Sequence, residues 1–149
     1  MVNAARAGSL PSLVPGNSDR VAILIVDDNT SGAQTLSMLL DLDGYAVSIA
    51  NCGKDALERF LEVKPSIILL DIGLPDMSGY DVAREIRAMP EGQEVTIMAV
   101  TGWGSERDRA LAQSAGCDLH LTKPVNFDRL ERLLKGEEIF EGATRLSRK

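Results

Sequence analysis

The feature that most restricts the fold is an unbroken aliphatic run, VAILIV at residues 21–26, that ends on the acidic pair Asp27 and Asp28. A run without polar alternation suits a strand buried on both faces, the situation of a parallel sheet covered by helices. The chain then repeats the theme. Over residues 31–42 the spacing puts Leu36, Leu39 and Leu40 on one helical face, and Gly44 closes the segment. Residues 45–50 read as a second strand. Ala56, Leu57, Phe60 and Leu61 mark a second helix that ends near Pro65. Residues 66–70 (SIILL) form a third buried strand running into Asp71.

After a GLPD loop, Ser78 starts a third helix as a capping residue with Asp81 three positions on, and Val82, Ile86 and Met89 supply its apolar face. Residues 95–100 are a fourth strand leading into TGWG at 101–104. Ser105, with Asp108 at the matching position, caps a fourth helix that Gly116 ends. A short fifth strand over 118–121 precedes Thr122, Lys123 and Pro124. A last helix begins near Asn126 and shows Phe127, Leu130, Leu133 and Leu134. Five strand–helix units in strict alternation predict an α/β fold, a doubly wound five-stranded parallel sheet with helices on both faces.

The pattern divides the chain into a flexible leader (1–20), a single domain (21–135) and a polar tail (136–149) that reads as a frayed helical end. The net charge of −6 comes with no run of Lys and Arg, so a nucleic-acid surface is not expected. Cys52 and Cys117 stand far apart with no CxxC partner and read as small hydrophobes. The aliphatic runs are far too short to cross a bilayer, and the N-terminus lacks a signal peptide's apolar centre. A cytoplasmic location without membrane contact is the expectation.

In an open parallel sheet, ligands bind beyond the carboxyl ends of the strands. The conspicuous polar residues fall there: Asp27 and Asp28 after strand one, Asp71 ending strand three, Thr101 after strand four, Lys123 after strand five. Right-handed crossovers bring these ends to one edge. Gathered carboxylates resist ionising together unless a cation is present, and Mg²⁺, hard and oxygen-loving, answers that need. Lys123 adds a point charge for a phosphoryl oxygen, Thr101 a hydroxyl, and Gly102 leaves room for a phosphoryl group near the backbone. The set is a clamp for phosphoryl transfer onto a carboxylate, with Asp71, central in the sheet, as nucleophile.

On VDDN at 26–29, LLDIGLPDMSG at 69–79, VTG at 100–102 and TKP at 122–124, the chain resembles the receiver domain of two-component response regulators over roughly residues 20–135. The resemblance implies a flavodoxin-like strand order, 2-1-3-4-5. It implies that a sensor histidine kinase or a histidine phosphotransfer protein passes phosphate to Asp71. Asp28, Asp71 and the Gly73 carbonyl would ligate Mg²⁺, Asp27 would help through water, and Thr101 and Lys123 would bind phosphoryl oxygens. The Lys123–Pro124 peptide would be cis. The chain would then be a phosphoacceptor signalling domain that takes part in its own phosphorylation and dephosphorylation, rather than an enzyme. Its output would pass to a downstream protein through the face of the fourth helix, fifth strand and fifth helix.

Two positions depart from the family or add to it. His120 stands where the family usually carries Tyr or Phe, three residues before the lysine, and is expected to act with Thr101 as a switch or to add pH sensitivity. Trp103 is expected to limit water access to an acyl phosphate, and Gly73 offers no side chain to position that water, so slow self-dephosphorylation follows. A phosphorylation-independent pseudo-receiver is the alternative. A hydrolase with an aspartyl-phosphate intermediate would need a second acid where Gly73 stands, and a flavin-binding protein would need a Ser/Thr-rich loop after strand one.

Overall fold

The computed structural model describes residues 20–102, 104–136 and 143–146. All of the leader (1–20) but Arg20, Trp103 and most of the tail lie outside the described residues. The strands are β1 (Ala22–Val26), β2 (Ala46–Ala50), β3 (Ile67–Asp71), β4 (Thr96–Thr101), β5 (Leu119–Thr122) and β6 (Ala143–Arg145). The helices are α1 (Thr30–Leu42), α2 (Gly53–Val63), α3 (Gly79–Ala88), α4 (Glu106–Ala115) and α5 (Phe127–Leu134), with a 3-10 turn at Pro90–Gly92.

The sheet runs β2-β1-β3-β4-β5-β6. Its first five strands are parallel and stand in the order expected. The sixth corrects the reading of the tail: β6 lies antiparallel on β5, with Leu119 opposite Arg145 and His120 opposite Thr144. Three residues are too few to show a period of two, so the strand left no signal in the sequence.

Side chains alternate across the sheet and build two cores. Leu24 and Val26 join Ile68, Leu70, Ile97 and Ala99 on the face covered by α2, α3 and α4. Ile23 and Ile25 join Leu69, Met98, Leu119 and Leu121 on the face covered by α1 and α5. This two-sided burial is why the strands read as continuous aliphatic runs. The helix stripes are narrower than the spacing predicts. Leu40 is buried, but Leu39 and Leu61 remain 37% and 44% exposed, because both lie at the margin of the helix face that meets the sheet.

The helix starts follow the capping logic. Asn29, Ser105 and Asn126 each accept the amide of the residue three further on. Ser78 accepts instead from the amide of Tyr80, and the Asp81 carboxylate turns to Arg84 at 2.7 Å. Gly116 closes α4 with φ 97°, the left-handed conformation that favours glycine. Among the described residues, no helix is long and apolar enough to cross a membrane.

Candidate functional site

The register of the sheet assembles the site. Val26 pairs with Leu70, so Asp27 and Asp28, one and two residues past Val26, arrive beside Asp71 at the end of the central strand. Carboxylate oxygens of Asp27, Asp28 and Asp71 lie within 4.8 Å of one another. Asp71 pairs with Val100, which sets Thr101 beyond it, and Thr101 pairs with Thr122, which sets Lys123 next. Lys123 donates its backbone amide to the Thr101 carbonyl at 2.8 Å. Its Nζ stands 3.4 Å from Asp71 Oδ2, and the Lys123–Pro124 peptide is cis. The five residues therefore come together at one edge.

Their electrostatics differ. Asp71 is the most enclosed, its side chain 11% exposed. A cavity of about 50 Å³, lined by Leu36, Leu69, Val100, Leu121 and Leu130, borders it on the α1/α5 side. Burial raises the carboxyl of Asp71 above the usual carboxylate range. The Gly73 amide, donating to Oδ1 at 3.2 Å, and the Lys123 ammonium oppose that shift, while the Asp27 carboxylate reinforces it. Asp27 is oriented by the Asn29 amide, which donates to its Oδ1 at 2.9 Å. Asp28 is exposed.

Such a set fits a hard divalent cation. Three oxygen donors converge, the most buried of them is disfavoured as an anion, and Asp28 leaves a side open for water and phosphate oxygens. Gly73 sits at the rim, bridged to Ser78, and a Cβ there would meet nothing within 4 Å. The same holds at Gly102, which keeps the space beside Thr101 open.

Thr101 is buried at 6% exposure, at the mouth of the α2/α3/α4 face. His120 is buried at 1% on that same face, opposite Ala99. The two are diagonal neighbours on adjacent strands, because Thr101 pairs with Thr122 and His120 lies two residues before Thr122. The imidazole Nε2 has no hydrogen-bond partner among the described residues. Burial pushes the pKa of His120 down, with Asp108 acting against that shift and Arg109 with it.

Two further residues shape the site: Asp76, whose role escaped the sequence reading, and Gly79, which the sequence marks as a glycine that shapes the loop after Asp71. Asp76 accepts the amides of Gly53 and Lys54 at 2.7 and 2.9 Å, so a carboxylate from the loop after β3 caps α2 and ties down the chain that carries Gly73. Those amides hold its carboxyl below the usual range. Gly79 starts α3 hard against the strand end, where a Cβ would stand 2.4 Å from the Asp71 carbonyl oxygen. An acidic residue in a glycine- and proline-bearing loop was visible in the sequence; its partner 23 residues away was not.

Comparison with known proteins bears on the fold and the family. The family described as Response regulator receiver domain matches residues 23–135. The chain is 31% identical to the transcriptional regulatory protein TrcR of Mycobacterium tuberculosis over 87% of its own length and 49% of that protein. It is 28% identical to the polar-differentiation response regulator DivK of Brucella anthropi, over 76% and 93% of the two chains. The chain thus spans about half of some relatives and nearly all of others. A CheY-like receiver domain structure from Methanospirillum hungatei superposes with a TM-score of 0.73 at 30% identity, covering 79% of this chain and 93% of that one.

Proposed function

The chain belongs to the response regulator receiver domain family of two-component systems, and we propose that Asp71 is its phosphoacceptor. The observation that carries this reading is the gathering of Asp27, Asp28 and Asp71 within 4.8 Å, with Lys123 Nζ 3.4 Å from the Asp71 carboxylate. The proposed donor is the phosphohistidine of a sensor kinase or of a histidine phosphotransfer protein.

In the transfer, an Asp71 carboxylate oxygen bonds to phosphorus as the phosphorus–nitrogen bond to the donor imidazole breaks. The electron pair leaves with the imidazole, which a proton then neutralises. Asp28, Asp71 and the Gly73 carbonyl would hold Mg²⁺, with Asp27 acting through water. When bound, the ion supplies charge neutralisation for the phosphoryl oxygens. Lys123 Nζ moves from the carboxylate to a phosphoryl oxygen, a short shift from its 3.4 Å contact. The Thr101 hydroxyl donates to another, with Gly102 leaving the approach clear. Both groups stand at the site before the reaction and need only short shifts, so most of their contribution is preorganised charge.

The transferred group draws Thr101 toward the site and vacates space on the face it shares with His120. Output then passes through α4, β5 and α5 to a downstream protein. Slow loss of phosphate is part of the proposal, with Gly73 providing no side chain to place a water; a Gly73→Glu variant that keeps its phosphate just as long would remove that element.

The test is intact mass after incubation with acetyl phosphate, with and without Mg²⁺, alongside Asp71→Asn. One phosphoryl group gained only with Mg²⁺, and lost in the variant, is the expected result. A folded chain that accepts no phosphate from acetyl phosphate or from a phosphorylated kinase would leave a phosphorylation-independent scaffold as the function.

A further inference from the structure

In the five-stranded arrangement that the sequence predicts, β5 is an edge. Here its outer side is taken by the chain's own residues 143–146. The Leu146 amide donates to the Asp118 carbonyl at 2.8 Å, and the half-buried Leu146 side chain packs against the core of the α2/α3/α4 face. Antiparallel ladders bond at alternate pairs, so the next bonded pair after Asp118 with Leu146 is His120 with Thr144. Thr144 and Leu146 face the same side as His120, while Arg145 between them is exposed. The sequence that carries this segment is also distinctive in charge: 143–149 read ATRLSRK, three cations and no acid, on a chain of net charge −6.

We propose that the outer edge of β5 is a strand-docking site for an extended basic segment of a partner protein, and that β6 occupies it in cis. Three observations support that occupant. The pairing is backbone-driven over only three residues, so it can be exchanged for another strand without disturbing the helices. Its apolar anchor among the described residues, Leu146, packs against the core two positions from the residue facing His120, so a competing strand needs a small or polar residue followed two on by an aliphatic one. The Arg145 position is exposed and carries a cation, the charge that suits a strand arriving on a chain of net charge −6. The inference specifies the α4, β5 and α5 docking face proposed above, and its test uses no phosphate, so failure of one leaves the other standing.

A purely protective strand would also cover the edge. A three-residue edge strand opens locally under either reading, and the two differ in whether the opened edge takes up a separate strand. The experiment uses the full chain and a labelled peptide of sequence ATRLSRK. Hydrogen exchange is expected to show the Thr144 and Leu146 amides opening far more readily than those of Leu24 and Ile68. The peptide is expected to bind a Thr144→Pro variant on the order of tenfold tighter than the unaltered chain, because the unaltered chain offers its edge only in the open fraction. Leu146→Asp, which removes the anchor rather than the ladder bond, is expected to behave likewise, and thermal melting checks that both variants remain folded. Three results would overturn the proposal: exchange of Thr144 and Leu146 as slow as that of Leu24, no peptide binding by a folded variant, or a dimer of the unaltered chain joined by exchanged β6 strands.

Discussion

Asp71 is held where its ionised form is costly: burial and the Asp27 carboxylate raise its carboxyl, and the Gly73 amide and Lys123 only partly offset them. A carboxyl whose folded pKa is raised takes up protons on folding, so it lowers stability at neutral pH and that loss is recovered as the pH falls through the folded value. Asp71→Asn is therefore expected to melt several degrees higher than the unaltered chain in a chelator, with Mg²⁺ narrowing the gap by stabilising only the native carboxylate set. His120 has the opposite sign. Burial lowers its pKa, so the unfolded imidazole takes a proton near its ordinary pKa of about 6.5 while the folded one stays neutral. Its contribution is full above that value and is lost as the pH falls through it. Unfolding free energies from denaturant titrations at pH 7 and pH 5 should fall in an Asp71→Asn background, and fall less when His120→Phe is added. Asp108 and Arg109, the charged groups that act on the imidazole from α4, are unchanged in that comparison. Asp27, Asp28, Asp71, Thr101 and Lys123 were all legible in the sequence, because each sits next to an aliphatic run that fixes where its strand ends. The near-complete burial of His120 was not legible, since it depends on neighbours contributed by β4, α4 and β6.

Helices and strands of the domain were readable to within a residue or two, because buried parallel strands announce themselves as aliphatic runs and Ser, Asn and Gly punctuate the helices between them. Two features were not readable. β6 is too short to carry a period, and its pairing depends on an edge that exists only once β5 is in place. The Asp76 cap on α2 joins a loop to a helix start distant in sequence, and no local rule anticipates it. The junction of β3 and α3 is the element most sensitive to volume. A Cβ on Gly79 would lie 2.4 Å from the Asp71 carbonyl oxygen and 2.8 Å from the Ile72 Cα, both backbone atoms that cannot swing aside. Gly79→Ala is expected to cost about 1–3 kcal/mol in denaturant titrations. It should slow phosphate uptake as well, since the strand end that carries Asp71 must shift. Gly73→Ala, where a Cβ meets nothing within 4 Å, is expected to leave stability nearly unchanged.

Across the whole molecule, the edge of the sheet opposite the carboxylates is closed by a different set of contacts. Arg87, at the end of α3, donates Nε to the Gly116 carbonyl at 2.8 Å and Nη1 to the Gly92 and Val95 carbonyls at 2.7 Å each. Its Nη2 meets Asp118 Oδ2 at 2.8 Å, and that same oxygen accepts the Ile97 amide at 2.9 Å. With side chains only 14% and 21% exposed, the pair fastens α3, α4, β4 and β5 at their common end. Arg87→Ala removes the guanidinium from several carbonyls and from a carboxylate that keeps the Ile97 amide, and is expected to cost about 3 kcal/mol in denaturant unfolding. The fastening lies one strand length, roughly 15 Å, from Asp71. Substitutions among the acidic residues and their loops therefore leave this anchorage intact. A lineage, or a designer, can vary what the upper rim recognises and how long it holds a modification while the lower rim continues to guarantee the fold.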